Sequence, residues 1–491
     1  MPGFAFDNSY ARLPRTFSRA CEPTAVAAPV LIQLNQSLVA ELGYQGDVSN
    51  AEQLAQVFSG NQLLAGSEPV ATAYAGHQFG GFNPRLGDGR AVLLGEVVVA
   101  DGKRRDIQLK GAGPTPFSRG GDGRSPLGPV LREYLVSEAM YALGVPTTRA
   151  LAAVTTGESV YRDTALPGAI LTRVAASHIR VGTFEFFAAR RDLDSLRILA
   201  DYVIERHFSE VATSAQPYMA LLQQVVQRQA ELIARWMSLG FIHGVMNTDN
   251  VLVSGETVDY GPCAFMDSFH PETVFSSIDT GGRYAYQMQP AVAQWNMARF
   301  AEALLPLIAD DQDQAVEQAT AVIRGFVGIY DTAWLQQFRA KIGLRTAQPG
   351  DQQLVEELLG WMAQQAVDFT LLFRSLQDAV LAPLQAAQTR ALFQDVSGWQ
   401  NWASRWSQRL QAEQQSPEQI AAFLRDINPA VIPRNHRIEQ AIQSASERQD
   451  FSDFHRLNRI LSNPFQVTDE DARWMGPPPP SEKVCKTFCG T

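Results

Sequence analysis

The chain has 491 residues, 45% hydrophobic and 19% charged, which is enough for a sizeable core in a few domains or in one bilobal enzyme with additions. Its net charge of -10, spread without long like-charged runs, gives no basic footprint and argues against a nucleic-acid partner. No apolar run reaches the roughly 18 residues of a membrane span, the N-terminus has no basic-then-apolar leader, and four scattered cysteines fit neither a disulfide-stapled fold nor a zinc shell, so a cytoplasmic protein without membrane contact is expected.

Residues 1–69 read as a helical extension, with "VLIQLNQSLVAELG" taken as a helix closed by Gly43. Residues 70–175 change texture. "AVLLGEVVVADGKRRDIQLK" is two apolar strands joined at Asp101-Gly102, "PLGPVLREYLVSEAMYALG" has the spacing of an amphipathic helix closed by Gly144, and "GAILTRV" returns to strand. Residues 176–390 are mostly helical, and "MALLQQVVQRQAELIARWMSLG" is a strong amphipathic helix ending at Gly240. Residues 391–476 continue the helices, with a capping box at Ser416 and Gln419, and residues 477–491 form a Pro-rich, Cys-containing tail. The fold class expected is α+β: a small strand-rich N-lobe and a large helical C-lobe in a bilobal protein-kinase-like fold, with additions at both ends.

The segment "FIHGVMNTDNVLVSGETVDYG", Phe241 to Gly261, has the texture of a phosphotransferase loop with one part changed. Kinases place a proton-accepting Asp shortly after the loop His, an Asn five residues beyond it, and then an Asp-x-Gly metal clamp. Here His243-Gly244 leads to Val245. Asn250 and Asp259 remain as oxygen ligands suited to Mg²⁺ or Mn²⁺, and Asp249 offers a carboxylate from a new direction. Asp267 in "AFMDSF" rivals Asp259, which is preferred because Tyr260-Gly261 completes the Asp-x-Gly turn.

Upstream, "RLGDGR" sets Gly87 and Gly89 at a turn where backbone N–H groups can approach phosphate. Strand alternation puts Gln108 and Lys110 on one face of "DIQLK". Glu133 and Glu138 lie about 140° apart on the following helix, so only one can meet Lys110, and Glu133 is preferred. The Gly-rich insertion "FSRGGDGRSPLGP" offers Asp122 and Gly123 to a nucleotide. Arg173 and Arg180 intrude where kinases keep an apolar adenine slot. Guanidinium groups suit phosphate there, which suggests a nucleotide bound the other way round and transfer of the adenylyl group.

The blocks "RLGDGR", "QLKGAGPTPFSRGGDGRS", "LREYLVSEAMYALGVPTTRAL", "HGVMNTDN", "DYGPCAFMD" and "TFCGT" resemble the selenoprotein O family, also called YdiU, over nearly the whole chain. The resemblance implies a kinase-like fold, ATP in an inverted pose, Mg²⁺ or Mn²⁺, and AMP transfer to Ser, Thr or Tyr hydroxyls of protein substrates. It implies that Lys110 pairs with Glu133, that Gly87, Gly89, Arg90, Asp122, Gly123, Arg173 and Arg180 contact nucleotide, that Asn250 and Asp259 bind metal, and that Asp249 accepts the proton. It further suggests a reversible disulfide between Cys263 and Cys489. The alternatives are a kinase using Asp249 as a displaced base, and a non-catalytic nucleotide-binding pseudokinase scaffold.

Overall fold

A computed structural model of the chain describes residues 3–466 and 468–488. The N-terminal part is built on an antiparallel sheet. Its strands, with a small hairpin included in the numbering, are β1 (Ser18–Ala20), β2 (Val30–Leu34), β3 (Val70–Thr72), β4 (Gly76–Gln78), β5 (Gly81–Asn83), β6 (Ala91–Val98), β7 (Arg104–Lys110), β8 (Ser125–Pro126), β9 (Arg149–Tyr161) and β10 (Ala165–Ala175). The sheet order is β1-β3-β6-β7-β10-β9-β2, β8 adds to β10, and β4 pairs only with β5 as a separate hairpin.

The stretch expected to be one helix up to Gly43 is half strand. Val30–Leu34 pairs with β9, and only Gln36–Glu41 (α1) is helical. Asn35 makes the division: its side-chain oxygen accepts from Leu38 N at 3.1 Å, an N-cap that ends the extended run and starts the helix. The first 69 residues therefore supply two strands of the sheet as well as α1 and α2 (Ala51–Phe58). The β6–β7 hairpin, with its turn at Asp101-Gly102, is present as read from the sequence; β9, a long strand that the sequence reading did not identify, fills the sheet beside β10.

Both faces of the sheet are covered, which is why β6 is buried along almost its whole length. Ile107 and Leu109 point outward into a cluster with Leu38, Leu54 and Phe58 of the two N-terminal helices. Gln108 and Lys110 face inward, as alternation requires, toward α3 (Leu127–Ala142). That helix is buried on nearly every side rather than amphipathic, because Asn435–Arg448 and Ser452–Leu461 pack on it opposite the sheet.

Beyond β10 the chain is helical. It runs through α4 (Val181–Ala188), α5 (Leu193–His207) and α6 (Pro217–Ser238), then the 241–261 loop, then α7 (Gln289–Ile308) and α8 (Gln312–Lys341), with further helices to Leu461. α6 is the axis of this lobe, with α7 and α8 against it. The fold is α+β, a strand-rich lobe joined to a larger helical one in the manner of a protein kinase. Among the described residues no helix is long and apolar enough to cross a membrane.

Candidate active site

A cleft of about 730 Å³ opens between the sheet and the 241–261 loop. Gly87, Gly89, Arg90, Lys110, Asp122, Gly123, Glu133, Arg173, Arg180, Asp249, Asn250 and Asp259 all line it, so residues up to 172 positions apart in sequence share one cavity.

Its inner end is a dense ionic knot. Lys110 on the last position of β7 places Nζ 2.6 Å from Glu133 Oε2 and 2.6 Å from Asp259 Oδ1. Arg173 lies opposite Gln108 in the β7–β10 register, so its side chain leaves the same face; its Nε and Nη2 donate to Glu133 Oε1 at 2.9 and 2.5 Å, and Nη2 donates to Asp259 Oδ1 at 2.7 Å. Arg180, just ahead of α4, donates to the Asp249 backbone oxygen at 2.6 Å, lies 3.8 Å from Asp259 Oδ2, and covers the Tyr74 ring. Glu138 faces elsewhere and is bound by Arg149.

Three cations around Asp259 hold its carboxyl well below the ordinary range despite burial. Lys110 and Arg173 similarly keep Glu133 ionised, and the two carboxylates raise the Arg173 guanidinium. Asp259 also adopts φ +65°, a left-handed conformation that costs a non-glycine residue about 1 kcal/mol or more. The ion pairs oppose that cost and fix the carboxylate at the cleft floor. Asp267, its sequence rival, pairs instead with Arg434 and is not part of the cleft lining.

His243 occupies the place of the kinase loop His and acts as a local brace. Its ring stacks on Trp236 and its Nε2 donates to Val258 O at 2.8 Å, tying the two ends of the loop together. Asn250 Nδ2 donates to Val245 O at 3.1 Å, which leaves the amide oxygen as its electron-pair donor. Asp249 is buried, and burial raises its carboxyl to about 6 against the opposing pull of Arg180 and Gln78. A carboxylate so placed is poised to exchange a proton near neutrality.

No cluster of three or more His, Cys, Asp or Glu side chains able to hold a metal occurs among the described residues. A divalent ion bound mainly through phosphate oxygens needs only one or two protein oxygens, and Asn250 and Asp259 face one cleft. Asp88 Oδ1 and Asp249 Oδ1 are additional buried oxygens in that cleft without a hydrogen-bond partner. The donor set fits a hard cation.

At the outer rim, Asp122 is half-exposed and paired with Arg162, and Asp122 Oδ1 accepts from Arg124 N at 2.9 Å. Gly123 has φ +64°, and a Cβ there would stand 2.0 Å from Gly113 O, so only glycine keeps this loop closed against the segment that follows β7.

Several lining residues were missed by the sequence reading: Tyr74, Gln78, Asp88 and Asn247. Asp88 had a visible signal, since it sits between Gly87 and Gly89, and its Oδ2 accepts from Thr72 N and Oγ1. Cys263 is buried just beyond the loop, and the tail reaches its neighbourhood: Thr487 N donates to Phe275 O at 2.7 Å and its hydroxyl donates to Pro262 O. The suggested partner Cys489 lies outside the described residues.

The family model described as "Protein adenylyltransferase SelO" matches residues 3–462. A Rhizobium rhizogenes protein named "Protein nucleotidyltransferase YdiU" is 58% identical over 490 residues, which is 100% of this chain and 97% of its own. A protein of the same name from Rhodopseudomonas palustris is 57% identical over 488 residues, covering 99% of each chain. Together with the kinase-like cleft, these likenesses show that the chain belongs to the SelO family of ATP-dependent nucleotidyltransferases.

Proposed function

We propose that the protein transfers AMP from ATP to Ser, Thr or Tyr hydroxyls of other proteins, with ATP bound end for end relative to a kinase. The observation that supports this most is the burial of Arg173 and Arg180, at 2% and 4% exposure, in the inner cleft where a purine would need apolar faces. Guanidinium groups there favour the β- and γ-phosphates, which leaves the α-phosphorus toward the loop.

In this reading the acceptor oxygen attacks the α-phosphorus, the bond to the β-phosphate bridging oxygen breaks, and pyrophosphate leaves against Arg173, Arg180 and Lys110. The hydroxyl proton passes to Asp249. Asn250 and Asp259 would hold Mg²⁺ or Mn²⁺, which offsets negative charge on the phosphates. Glu133 keeps Lys110 and Arg173 in place, Gly87, Gly89 and Arg90 adjoin the phosphates, and Asp122 and Gly123 at the rim adjoin the outward-facing nucleoside. Gating by a Cys263–Cys489 disulfide remains part of the same proposal, read by comparing activity and mass-mapped thiols with and without reductant.

Incubation with ATP labelled on the α- or γ-phosphate tests it. Retention of α-label on acceptor protein is the expected result. Retention of γ-label would replace this reading with phosphoryl transfer, and absence of both would leave a nucleotide-binding scaffold.

A further inference from the structure

A displaced base raises the question of what orients it, because a carboxylate on two free torsions points nowhere in particular. The answer lies in the β4–β5 hairpin, "GHQFGGFN", which stands outside the main sheet and against the 241–261 loop. His77 N donates to Thr248 Oγ1 at 2.7 Å, Gln78 Nε2 donates to Asp249 Oδ2 at 3.1 Å, and Phe79 N donates to Asn247 Oδ1 at 3.0 Å. Three successive hairpin residues thus grip three successive loop residues.

The grip is reinforced below and closed above. Glu185 of α4 accepts from Thr248 Oγ1 and lies 2.5 Å from His77 Nδ1, linking hairpin, loop and helix. Gly76 passes so close to the base that a Cβ there would stand 2.7 Å from Asp249 Oδ1 and 2.9 Å from Asp249 Cβ. The strand therefore packs directly against the carboxylate, with Oδ2 tied to Gln78 and Oδ1 buried without a hydrogen-bond partner.

We infer that Gln78 is a positioning residue for the acceptor side of the reaction: its amide ties Asp249 Oδ2 and so fixes the orientation of the carboxylate that takes the hydroxyl proton. This rests on the adenylylation reading above. Among the described residues Gln78 makes no hydrogen bond to Lys110, Glu133, Asp259, Arg173 or Arg180, so its effect falls on transfer and leaves nucleotide binding alone. Phe79 of the hairpin and Ile278 are both exposed and line the same cleft.

The test uses full-length enzyme, α-labelled ATP and a fixed pool of Ser-, Thr- and Tyr-containing peptides. Gln78→Met keeps the side-chain length and removes the donor; Gln78→Glu keeps the shape and replaces the donor with an acceptor. Both are expected to lower kcat by about tenfold or more, with KM for ATP within about twofold of wild type, since a general base contributes roughly 10²- to 10⁴-fold when correctly placed. Unchanged kcat in both variants, or a rise in KM for ATP that accounts for the loss, would overturn the assignment. The wild-type control separates this from the underlying reading. Wild type that labels peptides while the variants match it removes only the role of Gln78, whereas wild type that never transfers α-label removes the adenylylation reading and this inference with it.

Discussion

Asp259 meets three cations at once, and that arrangement gives it two opposing tasks. Without nucleotide it neutralises Lys110, Arg173 and Arg180; with nucleotide, the proposal has it hold a metal while phosphates take over those cations. Substitution should divide the two. Asp259→Ala exposes uncompensated positive charge, so metal-free ATP should bind at least as tightly as to wild type by calorimetric titration. Transfer with metal present should fall by at least about 10²-fold, the size typical of losing a group that stabilises developing charge. Weaker metal-free binding, or transfer within tenfold of wild type, would contradict this account of the knot. Residue identity at this level was legible where spacing is short: Asn250, Asp259 and Tyr260-Gly261 fall within one segment. Gln78 was not legible, because its partner Asp249 is 171 positions away and no local pattern encodes that bond.

At the scale of elements, α3 carries the argument. It presents Glu133 to Lys110 on one side and is held on the other by the two late helices, where Tyr134 meets Phe454 edge to face at 5.6 Å. Arg132 adds an ion pair to Glu439. Packing on both sides holds the helix against the sheet, where the Lys110–Glu133 pair forms. Tyr134 is 1% exposed, and Tyr134→Ala should cost about 3–5 kcal/mol, the range for truncating a buried aromatic, read as a lower urea midpoint. ATP affinity should weaken alongside, since the helix loses its rear support. A loss of stability with ATP affinity unchanged would show that the late helices serve folding alone.

The helices were readable because caps and apolar period are local: Pro217–Ser238 and the Ser416–Gln419 capping box stand where the sequence put them. The β9–β2 side of the sheet was not. "VLIQL" is apolar enough to suit either state, and β9 owes its 13 residues to pairing with β10 on one side and β2 on the other. Pairing partners that lie more than a hundred residues apart, as Val30 and Thr155 do, leave no periodic trace in either segment.

Across the whole molecule, the additions at the two ends act on the kinase-like centre from opposite directions. The N-terminal residues close the outer face of the sheet, and the late helices close the back of α3. Between them the cleft is left with one ion-paired, arginine-bearing inner end and one loop-lined mouth, and the direction in which ATP lies along that axis decides the chemistry. The measurement that bears on this most directly is a structure with a non-hydrolysable ATP analogue and Mn²⁺. The account predicts the γ-phosphate against Arg173 and Arg180, the α-phosphate beside Asn250 and Asp259, and the adenine toward Asp122 and Gly123. Adenine stacked at Arg173 and Arg180, with the γ-phosphate facing Asp249, would contradict it.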